Sequence, residues 1–117
     1  MDRDKYQDDA GERAGADAFM RPLVEFDAME CWGELWARPG LSARDRSLVT
    51  VAILAAQSRF DDLRTHVRGA LTSGCTMEQL QEALLHAGTY SGRDAMEQSF
   101  RVAHTVLGQL AQFPAAG

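Results

Sequence analysis

Two side chains that can carry positive charge fall beside helical stretches that are otherwise apolar. His66 lies next to Val67 and Ala70. An imidazole titrates near neutrality, so it can act as a general acid or donate a hydrogen bond to an oxyanion. Arg46 lies in the first turn of the most apolar segment, and a guanidinium there can bind a carboxylate in bidentate fashion. The pair would suit chemistry on an organic acid.

Each of these two residues also has a purely structural interpretation. His66 could be a half-buried histidine whose ring is satisfied by a backbone carbonyl or a carboxylate. Arg46 could form a salt bridge, within one chain or between subunits, with a carboxylate such as Glu30, Glu34 or Asp62. The sequence leaves both alternatives open.

Polar and aromatic residues at helical spacing extend this set. Thr50 falls within about 40° of Arg46 around the helix axis. His86 and Tyr90 are four residues apart and can touch on one helix face, although His86 could equally be a surface histidine. Trp36 is paired at the same spacing with Trp32, which suits a core, an interface or a platform for a substrate.

Composition limits the classes of partner and compartment. A chain of 117 residues with a net charge of -5 predicts one domain that does not bind nucleic acid. The longest uncharged apolar run, residues 47–58, is too short to cross a bilayer, and no signal peptide is visible, so we expect a cytoplasmic protein. Cys31 and Cys75 form neither a Cys-x-x-Cys pair nor a cluster with metal-ligand spacing.

The positioning elements are predicted to be helices throughout. Apolar residues recur at helical spacing from Leu23 to Trp36, from Ala43 to Ser58 and from Phe60 to Ser73. Two more helices follow, capped by Thr76 and Asp94. The prediction is an all-α, single-domain bundle of about five helices over residues 22–112. Residues 1–21 are predicted to be a polar tail, mobile or loosely docked.

An ordered set of motifs resembles a known family. The motifs are Trp32-Gly-Glu-Leu-Trp-Ala-Arg-Pro-Gly-Leu41, Arg46-Ser-Leu-Val-Thr50, His66-Val-Arg68, Gly74-Cys-Thr76 and Tyr90-Ser-Gly92. From about Phe26 to Leu107 their order and spacing are similar to those of the carboxymuconolactone decarboxylase family. The resemblance implies an all-α fold related to the alkylhydroperoxidase-D proteins. It also implies a trimeric or hexameric homo-oligomer with pockets near subunit contacts.

The resemblance further implies an activity: decarboxylation of a carboxylated lactone such as 4-carboxymuconolactone, with no metal and no cofactor. Arg46 would then anchor the carboxylate or the lactone, and His66 would supply a proton or an oxyanion hydrogen bond. Glu34 would orient one of these two. The remaining residues expected to contact the substrate are Trp36, Tyr90, Thr50 and His86.

One segment departs from the family pattern. Arg93-Asp-Ala-Met96 replaces a small, Pro-Ala-containing stretch, and it puts a charge pair and a bulky thioether where a pocket wall is expected. Two other functions therefore stay open. The scaffold could decarboxylate, cyclise or isomerise a different cyclic or polyketide-like compound. It could also be a non-catalytic, oligomeric binding protein.

Overall fold

The structure is a computed structural model that describes residues 3–29 and 32–110 of the chain. In those residues it contains α-helices and turns and no β-strand, so the all-α prediction is confirmed. The described part has six helices where about five were predicted. They are α1 (Arg3–Asp27), α2 (Trp32–Trp36), α3 (Ala43–Ala56), α4 (Phe60–Thr72), α5 (Met77–Ser91) and α6 (Arg93–Gln109).

The chain divides into two compact units, one ending at Arg38 and the other beginning at Pro39. In the first unit, α1 begins at Arg3, well before the predicted start near Pro22, and Pro22 lies inside the helix. The backbone of residues 3–21 is therefore helical, although no helix was predicted there. The alanine, arginine and glutamate residues of this segment favour a helical backbone.

The single helix predicted from Leu23 to Trp36 is wrong. Helix α1 ends at Asp27, and two tight turns close it, in which the Ala28 N–H donates to the Glu25 carbonyl and the Met29 N–H to the Phe26 carbonyl. The five-residue helix α2 follows separately. Apolar periodicity continues across the break, so the sequence pattern alone did not reveal it. Glu30, Cys31 and residues 111–112 lie outside the described residues.

The second unit contains the hydrophobic core. Helix α3 packs mainly against α5 and α4, and α6 packs against both of those helices. The fully buried aliphatic side chains of this core are Val51, Leu63, Val67, Leu80, Leu84 and Val106. They lie on the predicted apolar faces of α3 to α6. The core therefore fixes which side of each helix remains for polar groups.

Helix α3 is apolar almost all round, but only one of its sides is buried in the chain. Val51, Leu54 and Ala55 enter the core. On the other side Val49 and Ile53 are 48% and 49% exposed. An apolar helix of this kind is expected to be central or covered by a partner subunit; here one side enters the core and the other is exposed in the chain.

Caps and glycines set most helix ends, and the predicted Thr76 cap is confirmed. The Ser42 hydroxyl accepts the Asp45 N–H at 3.1 Å, and Thr76 forms a reciprocal capping box with Gln79. Gly74 closes α4 with φ of +96°. The Asp94 cap is wrong, because Gly92 occupies the N-cap position of α6 and its φ of +108° already turns the chain there.

Candidate functional site

The polar stripe of α3 carries Arg46 one turn before Thr50. Arg46 is half-buried, and its Nε atom is buried. The Thr50 hydroxyl donates to the Arg46 carbonyl at 2.8 Å, so its proton is used inside the helix while its oxygen can still accept. The anion-binding role expected for Arg46 stays a prediction. Thr50 would have to rotate before its hydroxyl could donate to a substrate.

His66 lies on α4 beside the buried stripe formed by Leu63, Val67 and Ala70. The imidazole is exposed in the chain and is not the half-buried histidine of the structural interpretation. The neighbouring motif residue Arg68 points elsewhere, because its guanidinium donates to the Gln109 side chain at the end of α6. The ligand-binding role expected for His66 stays a prediction.

The short α3–α4 connection brings Thr50 and His66 to a similar height along the hairpin. Helix α3 ends at its C-cap Gln57, and Arg59 is the N-cap of α4. Thr50 precedes Gln57 by seven residues and His66 follows Arg59 by seven, so each lies about 10 Å from the turn. Arg46 lies one further turn away. This agreement in height does not fix which faces of the two helices meet.

Two neighbouring carboxylates begin α4 and form different ion pairs. Asp62 accepts from the Arg59 guanidinium at 2.6 Å, and Asp61 pairs with Arg64 at 3.3 Å. From the sequence, Asp62 is expected only as a possible partner for Arg46. Asp62 also precedes His66 by four residues, a spacing that places both side chains on one helix face and that the prediction did not use.

His86 and Tyr90 make the predicted contact on α5. Their ring centroids are 5.5 Å apart and the ring planes are inclined by 41°. Both residues are exposed, and Tyr90 is 82% exposed. For Tyr90 to form the wall of a pocket, another surface must cover it.

Glu34 and Trp36 lie on α2, in the first compact unit. Glu34 is exposed and Trp36 is half-buried. In this unit Arg38 forms an ion pair with Glu25 at 2.8 Å. The roles expected for Glu34 and Trp36 stay predictions.

Cys75 is buried beside the start of α3, where its thiol donates to the Arg44 carbonyl at 3.5 Å. Burial raises the pKa of the Cys75 thiol, with a smaller opposing effect from Arg44. The group therefore stays a thiol at neutral pH and is a poor nucleophile.

Met96, in the segment that departs from the family pattern, packs onto Gly88 where α5 meets α6. A Cβ atom on Gly88 would lie only 2.5 Å from the Cβ of Met96. The thioether therefore fills space over a buried glycine inside the α5–α6 hairpin. The sequence did not reveal this pairing, because the two residues are eight apart and lie on different helices.

The described residues contain neither a metal cluster nor a membrane-spanning helix. Across residues 3–29 and 32–110, no three or more His, Cys, Asp or Glu side chains come together as a metal site would require. In the same residues no helix is both long and apolar enough to span a membrane.

Comparison with known proteins identifies the family. The model of the carboxymuconolactone decarboxylase family matches residues 22–105, a range that contains α2 to α5 and most of α6. The chain belongs to this family. The motifs in α2 to α5 that carried the resemblance all lie inside the matched range.

Curated relatives support a decarboxylase-type enzyme. The chain is 38% identical over 96 residues to 4-carboxymuconolactone decarboxylase of Acinetobacter baylyi, a match that covers 82% of this chain and 72% of that protein. It is 34% identical over 95 residues to nitrosuccinic acid decarboxylase of Metarhizium robertsii, covering 81% of this chain and 66% of that protein. An uncharacterised 15.0 kDa protein of Paracoccus denitrificans is 30% identical over 91 residues.

Proposed function

We propose that this family member decarboxylates a carboxylated lactone such as 4-carboxymuconolactone, without a metal or cofactor. The observation that carries the proposal is the 38% identity to 4-carboxymuconolactone decarboxylase over 82% of the chain. A half-buried guanidinium on α3 and an imidazole at the edge of the core on α4 add chemical groups that suit the reaction.

The reaction needs an anchor, an electron sink and a proton. The bond between the ring carbon and the carboxylate breaks, and CO₂ leaves without the bonding electron pair. That pair moves through the conjugated lactone to its carbonyl oxygen and returns when the carbon takes up a proton. Because the substrate supplies its own electron sink, the protein has to hold the acid, stabilise the oxyanion and deliver the proton.

Arg46 is proposed to anchor the substrate, by its carboxylate or by the lactone oxygens. Its partial burial strengthens this role, since a charge-assisted hydrogen bond gains strength where water is excluded. Thr50, one turn away, lines the same stripe and is proposed to donate to the acid after its hydroxyl turns away from the Arg46 carbonyl. The anchor thus uses the polar stripe of the helix that is otherwise most apolar.

His66 is proposed to donate the proton or the oxyanion hydrogen bond. A positioned general acid contributes about 10²- to 10⁴-fold to rate, and one oxyanion donor about 10²- to 10³-fold. The roles expected for Glu34 and Trp36, in the first unit, stay predictions. Tyr90 and His86 are proposed to contact the substrate ring.

A second copy of the chain is proposed to close the site. His66 and Tyr90 are exposed in one chain, and the outward face of α3 presents Val49 and Ile53 to solvent. Exclusion of water from the reacting groups requires a cover over these surfaces. A trimer or hexamer, as the family resemblance implies, provides that cover.

The test is CO₂ release from 4-carboxymuconolactone by the purified protein, measured against a sample without protein. We expect catalysed release that follows protein concentration and that His66→Ala abolishes or strongly reduces. Absence of release from the wild-type protein, at concentrations where it is folded and assembled, contradicts the lactone as substrate.

A second candidate is decarboxylation of an acid that is not a lactone. The relative named nitrosuccinic acid decarboxylase favours it, because nitrosuccinic acid is an open-chain acid. Its nitro group can accept the electron pair in the way a lactone carbonyl can. The same assay with nitrosuccinic acid separates the candidates by kcat/KM. If neither acid is turned over but one binds, a non-catalytic binding protein is the better description.

A further inference from the structure

One face of α4 places three polar side chains next to the buried stripe. Arg59, Asp62 and His66 fall within about 60° around the helix axis, and Leu63 and Val67 lie on the adjoining buried side. Asp62 and His66 are one turn apart, a separation of about 5–6 Å between Cβ atoms. A carboxylate at this distance can accept a hydrogen bond from an imidazole N–H. In the structure Asp62 accepts from Arg59 and forms no hydrogen bond with His66, so the exposed imidazole has to turn toward the carboxylate to make this contact.

The Arg59 guanidinium donates to the Oδ2 atom of Asp62 at 2.6 Å. Asp62 retains a second oxygen, and a carboxylate can accept several hydrogen bonds at once. The ion pair is exposed on both sides, so it adds little to stability. Its main effect is to hold the carboxylate in one place.

The backbone that leads into this face forms an ordinary C-terminal cap of α3. Ser58 has φ of +56°, its N–H donates to the Ala55 carbonyl, and the Arg59 N–H donates to the Leu54 carbonyl. Arg59 occupies the N-cap position of α4 and makes no side-chain cap hydrogen bond. The Arg59 side chain reaches Asp62 instead.

We propose that Asp62 is a positioning residue for His66. Its carboxylate accepts one ring N–H of the imidazole, which fixes the tautomer and presents the other ring nitrogen to the substrate, and Arg59 holds the carboxylate in place. The proposal rests on the proposed function insofar as His66 serves the reaction. The contact itself does not depend on the identity of the substrate.

Asp61 provides a matched control in the same turn. Both aspartates lie near the N-terminus of α4, both pair with an arginine three residues away, and both lose one negative charge in Asp→Asn. Loss of the favourable interaction with the helix dipole is therefore similar for the two. Asp61 lies about 100° from Asp62 around the axis, away from His66.

The first measurement is the ring ¹⁵N spectrum of His66 in the full-length protein, which reports the tautomer. We expect one dominant tautomer in the wild-type protein and in Asp61→Asn, and a mixture in Asp62→Asn. Asp62→Glu, which keeps the carboxylate, is expected to restore most of the dominant form. A His66 spectrum that Asp62→Asn leaves unchanged overturns the proposal, whether or not the substrate is known.

The second measurement is kinetic, with the substrate that the wild-type protein decarboxylates. Asp62→Asn is expected to lower kcat about 10- to 100-fold with KM changed less than about twofold, and Asp61→Asn to keep kcat within about twofold. Thermal unfolding of both variants shows that each is folded. Equal losses of kcat in the two variants overturn the proposal. If the wild-type protein turns over no acid, the proposed function fails and the spectrum alone decides the contact.

Discussion

The two helical hairpins of the second unit are closed by turns of opposite character. Between α3 and α4 the chain uses Ser58 with positive φ and an arginine at the N-cap. Between α5 and α6 it uses Gly92 at φ of +108°, and Gly88 lies directly under Met96. The first turn joins the helices that carry Arg46 and His66, the candidate anchor and acid. The second turn joins two helices that pack closely at Gly88 and Met96.

Effects on function and on stability are therefore expected to separate by residue. Changes near the α3–α4 turn are expected to alter catalysis with little effect on folding. Changes at Gly88 and Gly92 of the second hairpin are expected to alter folding most, whereas Tyr90 and His86 on the exposed side of α5 are proposed to contact the substrate. Substitutions in the two hairpins test this division.

The largest effect is expected for Arg46→Ala. Loss of the charge-assisted anchor lowers kcat/KM for the decarboxylated acid about 10²- to 10³-fold, equivalent to about 3–4 kcal/mol. The matched control is Arg44→Ala, two residues earlier on the same helix and exposed, which should stay within about threefold. Equal activities for the two variants, measured by CO₂ release, would remove Arg46 from the site.

Gly88→Ala should reduce the free energy of unfolding by about 3 kcal/mol. The new methyl would lie 2.5 Å from the Met96 Cβ, an atom fixed to the backbone, so the two helices must move apart. Gly69→Ala is the control, because nothing lies within 4 Å of its Cβ position, and it should stabilise by about 0.5–1 kcal/mol. Urea unfolding of both variants measures the difference, and a Gly88→Ala protein as stable as wild type contradicts the packing described.

The two turns should respond in opposite directions when their residues are exchanged. Gly92→Ser places a side chain at φ of +108° and ψ of 164° and should destabilise by about 2 kcal/mol. Ser58→Gly relieves a left-handed serine and should stabilise by up to about 1 kcal/mol. Both values follow from urea unfolding. If both substitutions changed the free energy of unfolding in the same direction, the contrast between the two turns would be wrong.

A smaller effect concerns Cys75 at high pH. Its buried thiol has a pKa raised above the ordinary value of about 9.0, so above that pH the unfolded chain loses the thiol proton while the folded chain keeps it. Stability from this group is therefore complete below pH 9 and declines as the pH rises further. Comparison of wild type with Cys75→Ala from pH 7 to 10.5 should show a shallower decline in the variant. If the stability of both proteins declined in parallel with rising pH, the pKa of Cys75 would not differ between the folded and unfolded chains.

Local patterns predicted much of the second unit because the signals act over a few residues. Thr76 with Gln79 and Ser42 before α3 marked helix starts by side-chain chemistry that the structure contains. Asp94 looked equally suitable but lies inside the first turn of α6, since the preceding glycine had already turned the chain. The break after Asp27 escaped detection because apolar spacing continued through it.

For the site, only the relations between side chains on the same helix could be predicted from the sequence. Periodicity placed Thr50 beside Arg46 and His86 beside Tyr90, as the structure shows. Periodicity does not show how far the rest of the protein buries a side chain, so the exposure of His66 and Tyr90 became visible only in the structure. Helical spacing defines directions around an axis, whereas burial depends on which neighbour lies in each direction.

The central proposal is that His66, on the α3–α4 hairpin, supplies the proton or the oxyanion hydrogen bond. The direct test is the single-turnover rate of CO₂ release from 4-carboxymuconolactone by wild type, His66→Ala and, as control, His104→Ala on α6. We predict a loss of about 10²- to 10⁴-fold for His66→Ala, an unchanged free energy of unfolding, and a rate within about twofold of wild type for the control. Full turnover by His66→Ala would contradict the account.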